Sequence, residues 1–384
     1  MLISIAMEKQ WSFHKMGLDM SSAFDTIRRQ TILNLLEDAG CNKDEIRLVR
    51  FLLSNIKIRV KINNELSLEF ESTTGAPQGD SLSGTCFTLT LAGAAYHLRA
   101  VTGRPTPPIN ANGMPEENEY SDDIDFLGED KSILSSLLPV ATKVFKEWSL
   151  NVNNTKTEFV HVYIATKHEK MADGKPLRGN EDWCTNKLLG SLLDSTKDIN
   201  RRCVLGDLAF QTFKKVWLHQ SKIPLKQKLH VYEALVVSVI MYNANSWAAP
   251  KAAMDRLDIC HRKHLRYILN VKWPNSMMSN KTLYKRCSST PLSERAVIAR
   301  WKKLGHILRS EECTLAQSAL CFAVEKLSTT VGRVGRHRTN LMSVLKKDLA
   351  KRYLYVEDYE DIIHLRELAS NRKYWGELYD FIAA

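Results

Sequence analysis

The chain has 384 residues, of which 44% are hydrophobic and 25% are charged, a globular mixture that excludes a disordered or fibrous protein. Its length predicts two or three domains, at roughly 100–200 residues per domain. The formal charge of +11 is unevenly distributed: residues 1–160 carry 16 Lys and Arg against 21 Asp and Glu, and the rest carry 38 against 22. An acidic first part joined to a basic second part indicates metal or phosphate chemistry beside a surface that binds polyanions.

The cysteines and the apolar segments narrow the class of protein further. The eight cysteines stand singly, without a C-x-x-C pair or the Cys/His spacing of a zinc finger or knuckle, which favours reduced, mostly structural thiols inside a cell. The apolar stretch at the N-terminus is too short for a secretory signal. Polar residues dilute Leu82–Leu98 and interrupt Val231–Ala249, so we expect two buried helices rather than membrane spans.

The first half of the chain alternates strand-like and helix-like segments. The predicted strands are Lys15–Met20, Ile56–Ile62, Leu66–Phe70, a segment around Tyr120, Ile124–Leu127 and Leu150–Tyr163. The predicted helices run from about Asp25 to Gly40 and over Lys43–Ser54, Leu82–Ala100 and Lys131–Trp148. This order predicts an α+β domain with a mostly antiparallel sheet and helices packed behind it.

The pattern changes after about residue 167. A polar stretch that contains Gly174, Pro176 and Gly179 predicts a linker or exposed loop. Long amphipathic patterns follow from Lys197 onward, for example over Ile223–Trp247. We therefore expect a helical and basic second half.

The segment around Asp122 and Asp123 is the most informative for chemistry. Its sequence, YSDDIDF from Tyr120, predicts a tight hairpin with the two aspartates at the tip. Because side chains alternate faces along a strand, these two should diverge, so that one reaches a metal ion directly and the other acts behind it. The alternative is that Asp-Asp is only favourable turn chemistry.

A second carboxylate, Asp19, ends the first predicted strand. Asp25 nearby has a simpler explanation as the N-cap of a helix, which Asp19 lacks. Two hard oxygen ligands from separate strands suit Mg²⁺. Two such ions can stabilise both the attacking and the leaving oxygen of an in-line displacement.

Two further segments carry weaker indications. The segment Gly75–Ser83 is a turn that runs into the start of a helix, where backbone N–H groups can face a phosphate or a base, although it also fits an ordinary loop–helix junction. Lys156 follows a turn in LNVNNTKTE and could protonate or neutralise a leaving pyrophosphate, although a lysine in a turn is usually only solvated.

Together, in this order, the four segments resemble the palm of a reverse transcriptase. More narrowly, LDMSSAFDTI, APQGDSLSG and YSDDIDFL resemble the reverse transcriptases of non-LTR (LINE-type) retrotransposons. The resemblance continues to the end of the chain, in segments that match the tail of such reading frames. These are Asn186–Ser191, Tyr242–Trp247, Arg256–His261, Pro291–Arg295, Leu304–Arg309, Gly332–Arg338 and Asn371–Trp375.

The resemblance implies an RNA-directed DNA polymerase with two catalytic Mg²⁺ ions, Mn²⁺ being a possible substitute. Asp19 and Asp122 would ligate the ions, the carbonyl of Met20 would assist, and Asp123 would complete the acidic pair as a further member of the metal site. Lys156 would be the general acid. The reaction would be attack of a primer 3′-hydroxyl on the α-phosphate of a dNTP.

The resemblance also implies binding residues. Phe24 would abut the sugar of the incoming nucleotide and exclude a 2′-hydroxyl, while Gln78 and Gly79 would line the template and nucleotide pocket. Leu189 and Gly190 would form the primer grip. Three arginines in the basic segment GRVGRHR would contact nucleic acid, or alternatively form a solvated face: Arg333, Arg336 and Arg338.

The implied architecture is a palm, an antiparallel sheet with packed helices, followed by a mostly helical thumb and C-terminal region. We expect a partial palm at 1–165, a connecting loop with a primer-grip-like hairpin at 166–195, a thumb-like region at 196–290 and a basic helical region at 291–384. Template RNA, a DNA primer or target and dNTP would be the partners, without a membrane, and the nucleus the place of action.

Only 18 residues precede Asp19, so we expect a chain truncated before this motif. The fingers and endonuclease of the class would then be missing, and an upstream segment or partner would supply the fingers. Two alternatives to an active polymerase stay open at this point. One is a catalytically inactive nucleic-acid-binding fragment, and the other is a relic that does not fold alone.

Overall fold

The computed structural model describes residues 12–77, 79–110, 114–162, 181–218, 220, 222–271, 277–310, 314–327 and 339–383. The chain divides into two compact units, of which the first is Ser12–Val162 and the second holds the described residues from 181 onward. The polar stretch expected to be a linker, at 167–180, lies outside the described residues.

The first unit contains a four-stranded antiparallel sheet and several two-stranded pairs. Its strands are β1 (Phe13–Leu18), β2 (Met20–Ser21), β3 (Ile56–Ile58), β4 (Lys61–Ile62), β5 (Glu65–Leu66), β6 (Phe70–Ser72), β7 (Glu117–Tyr120), β8 (Asp123–Gly128), β9 (Asn151–Val152) and β10 (Glu158–Val162). The larger sheet has the order β10-β1-β8-β7. Along β1, Met16 and Leu18 alternate onto the core face, while Lys15 and Gly17 occupy the other face.

Helices cover the core face of this sheet. They are α1 (Ala23–Thr26), α2 (Arg29–Asp38), α3 (Lys43–Leu53), α4 (Ser81–Thr102) and α5 (Lys131–Glu147). The side chains of Asp80 and Asp130 cap α4 and α5 by accepting hydrogen bonds from backbone N–H groups of the first turn. Phe87 and Phe145, one from each of these helices, are fully buried in the core. The predicted mostly antiparallel α+β architecture is confirmed.

Two predicted segments differ from the structure. The helix expected from Asp25 to Gly40 is broken at Ile27, whose extended backbone presents its carbonyl to the N–H of Gly75 at 2.9 Å. The strands expected at 56–62 and 66–70 form two shorter pairs, β3 with β6 and β4 with β5. Asn63 and Asn64 form the turn between β4 and β5, with φ of 48° and 70°.

The second unit is mostly helical, as the sequence predicts. Its elements are one hairpin of β11 (Lys187–Leu188) and β12 (Ser191–Leu192), and the helices α6 (Ser195–Phe213), α7 (Leu225–Tyr232), α8 (Ser238–Ile240), α9 (Lys251–Ile268), α10 (Asn280–Cys287), α11 (Leu292–Arg309), α12 (Leu315–Leu327), α13 (Leu341–Ala350), α14 (Tyr359–Ser370) and α15 (Arg372–Ala383). The pattern expected over Ile223–Trp247 is interrupted by a π-helical stretch at Glu233–Val237 and a 3₁₀ turn at Ala244–Ser246. None of the helices in the described part of the chain is long and apolar enough to cross a membrane.

Two of the tail segments, Leu304–Arg309 and Asn371–Trp375, meet where α11 packs against α15. Trp301 and Trp375 are buried, and the indole N–H of Trp375 donates to the carbonyl of Trp301 at 3.1 Å. Asp348 accepts hydrogen bonds from the guanidinium of Arg300 at 2.9 Å and the indole of Trp301 at 3.0 Å. A methyl group on Gly305 would lie 2.3 Å from the indole nitrogen of Trp375. Gly305 and Trp375 therefore have structural roles in packing α11 against α15.

Candidate active site

Asp19 lies at the junction of β1 and β2, where the chain leaves the sheet. Its carbonyl accepts a hydrogen bond from the N–H of Asn153 at 2.8 Å, so the backbone is fixed on the side of β9. The next residue, Met20, pairs with Val152 and buries its side chain in the core. The side chain of Asp19 remains 35% exposed. The carboxylate is thus held by the backbone at an accessible edge of the sheet.

Asp122 and Asp123 occupy different positions in the hairpin of β7 and β8. The last pair of the ladder joins Tyr120 to Asp123, so only Ser121 and Asp122 form the turn. The prediction that both aspartates stand at the tip is therefore wrong for Asp123, which begins β8. A two-residue turn with φ of 53° at Ser121 leaves no room for a third residue.

The register of the sheet brings Asp123 towards Asp19. Leu18 pairs with Ile124, so the residues that follow and precede them, Asp19 and Asp123, are neighbours across the two strands. Asp125 shares this face of β8 because it lies two residues further along. Desolvation and then the charges of Asp122, Asp125 and Asp19 raise the pKa of Asp123 above its usual value. Such a group of hard, crowded carboxylates has the chemistry of a divalent-cation site.

The carboxylates do not form a closed site in this conformation. The ligand oxygens of Asp19, Asp122 and Asp123 are not gathered within 4.8 Å of one another. All three side chains are at least partly exposed, so rotation about their side-chain bonds is sterically possible. The donor set therefore fits metal ions in chemical type, and its side chains must rotate to close a site.

Lys156 lies beside Asp19 in the structure. Its ammonium nitrogen is 3.3 Å from Oδ2 of Asp19, and its side chain is 66% exposed. The turn that presents it is held by Asn153, whose carbonyl accepts the N–H of Lys156 at 3.0 Å. The structure thus brings together two site residues that are 137 positions apart in the sequence.

A buried ion pair behind these carboxylates was not predicted from the sequence. The ammonium of Lys15 is 2.7 Å from Oδ1 of Asp125, and both side chains are only 8% exposed. Gly17 leaves room for this ion pair, because a Cβ there would lie 3.0 Å from Oδ1 of Asp125 and 3.3 Å from Nζ of Lys15. Lys15 lowers the pKa of Asp123 against the stronger effects of burial and neighbouring carboxylates. The available indication was the alternation of Lys15, Gly17 and Asp19 on one face of β1.

The loop that follows β6 docks against the turn that contains Phe24. The N–H of Ala76 donates to the carbonyl of Phe24 at 2.9 Å. The guanidinium of Arg29 binds three carbonyls of the loop, those of Ser72, Thr74 and Gly75, at 2.7–3.0 Å. Arg29 was not identified from the sequence, because nothing local indicates these contacts.

Among the residues expected to bind nucleotide, Phe24 is held by packing. Its ring stacks on Phe87, with a centroid separation of 4.5 Å and an interplanar angle of 25°. Gly79 has a φ of 92° and open space around its Cα. Gln78 lies outside the described residues.

The hairpin predicted to grip the primer is present in the second unit. Its turn residues, Leu189 and Gly190, both have positive φ, 48° and 77°, as a type I′ turn requires. The hydroxyl of Tyr242 donates to the carbonyl of Leu189 at 2.9 Å, and Arg201 donates to that of Gly190 at 2.9 Å. Arg202 also donates to the carbonyl of Gly190 and stacks over the ring of Tyr242 at 4.3 Å. Arg333, Arg336 and Arg338 lie outside the described residues.

Glu117 on β7 is a further buried carboxyl group in the first unit. Burial and a hydrogen bond with Glu119 raise its pKa to about 8, against the opposing charge of Arg99. Because this pKa is above the ordinary value of 4.5, the folded chain retains the proton that the unfolded chain releases. The resulting stabilisation is fully present below pH 4.5 and is lost as the pH rises to about 8.

Comparison with known proteins identifies the family. Residues 4–199, just over half of the chain, match the family described as reverse transcriptase (RNA-dependent DNA polymerase). The chain therefore belongs to the reverse transcriptase family.

A retrotransposon protein is similar over a longer stretch. A retrovirus-related Pol polyprotein from the type-1 retrotransposable element R2 of Bradysia coprophila is 22% identical over 280 residues, 69% of this chain and 30% of that protein. The chain thus spans less than a third of the length of this relative. The match confirms the predicted resemblance to non-LTR elements.

Solved structures of telomerases are also similar. The Candida tropicalis enzyme with the TWJ fragment of telomeric RNA is 13% identical, with a TM-score of 0.35, over 85% of this chain and 51% of that one. The corresponding Candida albicans structure is 12% identical, with a TM-score of 0.32, over 83% and 50%. The family assignment rests on the sequence match to residues 4–199. The antiparallel sheet and packed helices described above have the α+β fold class expected for that family.

Proposed function

We propose that this chain catalyses RNA-directed DNA synthesis, in which the 3′-hydroxyl of a primer attacks the α-phosphate of a dNTP and releases pyrophosphate. The observation that carries this proposal is the edge of the sheet where Asp19 neighbours Asp123, with Asp122 in the adjoining turn. In phosphoryl transfer the protein contributes mainly positioning and charge neutralisation. Exposed carboxylates on a fixed backbone are suited to both.

Divalent metal ions are general for the family, and we propose two Mg²⁺ ions here, with Mn²⁺ as a possible substitute. Asp19 and Asp122 would hold them, with the carbonyl of Met20 assisting and Asp123 completing the site. When bound, the ions supply charge stabilisation at the attacking and leaving oxygens. Lys156, whose ammonium already lies 3.3 Å from Asp19, would give a proton or positive charge to the leaving pyrophosphate.

The remaining residues would position the substrates. The ring of Phe24, fixed by stacking on Phe87, would exclude a 2′-hydroxyl, and Gln78 and Gly79 would line the pocket. The turn of Leu189 and Gly190 would hold the primer. Arg333, Arg336 and Arg338 would bind nucleic acid.

The partners follow from the same proposal. Binding of an RNA template is general for the family, and we propose a DNA primer or target and dNTP as the other substrates. The domain limits expected from the sequence, with the thumb at 196–290, are part of this proposal. Action would be in the nucleus, which imaging of a fluorescent fusion tests.

The test is addition of one nucleotide to a DNA primer on an RNA template as a function of Mg²⁺ concentration. Asp19→Asn is expected to lower the maximal rate by about a hundredfold or more, and Asp123→Asn to raise the Mg²⁺ concentration needed. Asp44→Asn is the matched control, because its carboxylate is 94% exposed and its nearest cationic group, on Arg47, is 4.0 Å away. Unchanged rates for Asp19→Asn would contradict the proposal.

A second candidate is a fragment that binds nucleic acid without catalysis, which the basic second part of the chain favours. Phosphate neutralisation gives affinity that falls steeply with salt and is indifferent to sequence. Fluorescence anisotropy with labelled RNA separates the candidates. Binding unaffected by Asp19→Asn, together with no nucleotide addition by the wild-type chain, would favour this second candidate.

A further inference from the structure

A cluster of metal-ligating side chains lies in the second unit and contains none of the aspartates described above. Asp207 on α6 and Cys260 and His264 on α9 bring one ligand atom each to within 4.8 Å of one another. In the described part of the chain this is the one set of three or more His, Cys, Asp or Glu side chains with that geometry. The two helices pack against each other, so the cluster sits at a helix–helix contact.

The distances within the cluster are short and the setting is largely buried. Nε2 of His264 is 2.7 Å from Oδ1 of Asp207, and Sγ of Cys260 is 3.8 Å from the same oxygen. His264 is 1% exposed and Cys260 is 7% exposed. The side chain of Asp207 is 38% exposed, which leaves a route from solvent.

A fourth candidate ligand on α6 lies outside that group in this conformation and reaches it by rotation of its side chain. Cys203 precedes Asp207 by one helical turn, its side chain is buried, and Sγ of Cys260 donates to its backbone carbonyl at 3.9 Å. Cys203 and Asp207 are thus an i,i+4 pair on one helix, and Cys260 and His264 are an i,i+4 pair on the other. Residues four apart share a helix face, so two such pairs on packed helices converge.

Contacts with Tyr232 and Phe210 orient the imidazole of His264. Its Nδ1 lies 3.3 Å from the hydroxyl of Tyr232, and its ring stacks on Phe210 with a centroid separation of 4.1 Å and an interplanar angle of 7°. A partner on one ring nitrogen fixes the tautomer and leaves the other nitrogen for a ligand role. Nε2 faces the carboxylate of Asp207, which only accepts hydrogen bonds, so Nε2 carries the ring proton in this structure and must give it up to bind a metal ion.

We propose that Cys203, Asp207, Cys260 and His264 form a structural zinc site that joins α6 to α9. Two sulfurs, an imidazole nitrogen and a carboxylate oxygen suit tetrahedral Zn²⁺, whereas Mg²⁺ prefers oxygen ligands alone. Binding releases the two thiol protons to solvent, moves the ring proton of His264 from Nε2 to Nδ1, where the Tyr232 hydroxyl accepts it, and replaces the hydrogen bond between His264 and Asp207. The other oxygen of Asp207 keeps its ion pair with Lys263 at 3.0 Å.

The site has a consequence for the hairpin of β11 and β12. The same helix α6 carries Arg201 and Arg202, which bind the carbonyl of Gly190 at the tip of the hairpin. A metal ion that fastens α6 to α9 would hold these arginines in place. The proposal does not depend on the chain being an active polymerase.

The test is titration of the purified, reduced full chain with Co²⁺, followed by displacement with Zn²⁺. We expect one Co²⁺ per chain, a thiolate-to-cobalt charge-transfer band and the strong visible bands of a tetrahedral site, all lost when Zn²⁺ is added. Cys260→Ser and Cys203→Ser should each weaken affinity about tenfold or more. Cys287→Ser is the matched control, because it removes a buried thiol of the same unit outside the cluster and should change nothing.

A second measurement guards against variants that fail to fold. Hydrogen exchange of the wild-type chain should slow in peptides from α6 and α9 when Zn²⁺ is added and recover with a chelator. Absence of stoichiometric binding, or full affinity in Cys260→Ser, would overturn the site. Full affinity in Cys203→Ser would overturn the four-ligand assignment, and a disulfide between Cys203 and Cys260 in the freshly isolated chain would overturn the proposal as well.

Discussion

Gly75→Ala is the substitution that most sharply tests how the nucleotide side of the candidate site is built. Gly75 has a φ of 76°, and a Cβ there would lie 2.7 Å from the carbonyl oxygen of Phe24 and 2.8 Å from Cα of Asp25. These neighbours are backbone atoms, which cannot rotate away. The loop must therefore move, and with it the surroundings of Phe24.

The expected cost is the sum of two effects. A left-handed backbone costs a residue with Cβ about 1 kcal/mol or more. Displacing the loop also loses the hydrogen bonds from Gly75 to Ile27 and from Ala76 to Phe24, each 2.9 Å long and each worth about 1 kcal/mol. We therefore expect the free energy of unfolding of the first unit to fall by about 3 kcal/mol.

The control is Gly40→Ala, because Gly40 also has a positive φ, 83°, but a Cβ added there has nothing within 4 Å. It should lose only the conformational part, about 1 kcal/mol. The assay is hydrogen exchange in urea for peptides from residues 12–162, because a chain of two units need not unfold in one step. Equal losses in the two variants would refute the docked loop.

Three further predictions concern other residues. In the wild type, the raised pKa of Glu117 should make the free energy of unfolding decline between pH 4.5 and about 8, and Glu117→Gln should remove that decline. The free energy of unfolding of both proteins is measured across this range, and the same pH dependence in both would contradict the prediction. Phe24→Ala should lower the preference for dNTP over rNTP, expressed as a ratio of kcat/KM, by about tenfold or more. Asp348→Ala should destabilise the second unit by about 3–5 kcal/mol in urea unfolding, because it leaves Arg300 and the indole of Trp301 buried without their partner.

Local features of the fold could be predicted because their causes lie within a few residues. The hairpin that carries Asp122 follows from alternating polarity around a two-residue turn, and the start of α4 follows from Asp80, which caps it. The error over Asp123 also has a local cause. The strand pairing extends one residue closer to the turn than expected, so that Asp123 belongs to β8. Such errors affect boundaries and leave the element itself intact.

Features that depend on distant contacts could not be predicted. The break of the helix at Ile27 exists because the loop at Gly75 binds there, and Arg29 holds that loop through carbonyls 43–46 residues away. The cysteine and histidine of α9 meet Asp207 only through the packing of two helices, although the i,i+4 spacing of Cys260 and His264 is visible in the sequence. A search for such pairs on predicted helices would have found them.

The most direct test of the central claim is extension of a DNA primer on an RNA template by the purified chain in Mg²⁺ and dNTP, compared with Asp122→Asn. The account predicts extension by the wild type, none by the variant, and equal RNA binding by both. Extension at the same rate by both proteins would contradict the assignment of the aspartate site. No extension by either, from a chain shown to be folded and to bind the primer–template, would contradict the claim that this chain is a polymerase by itself.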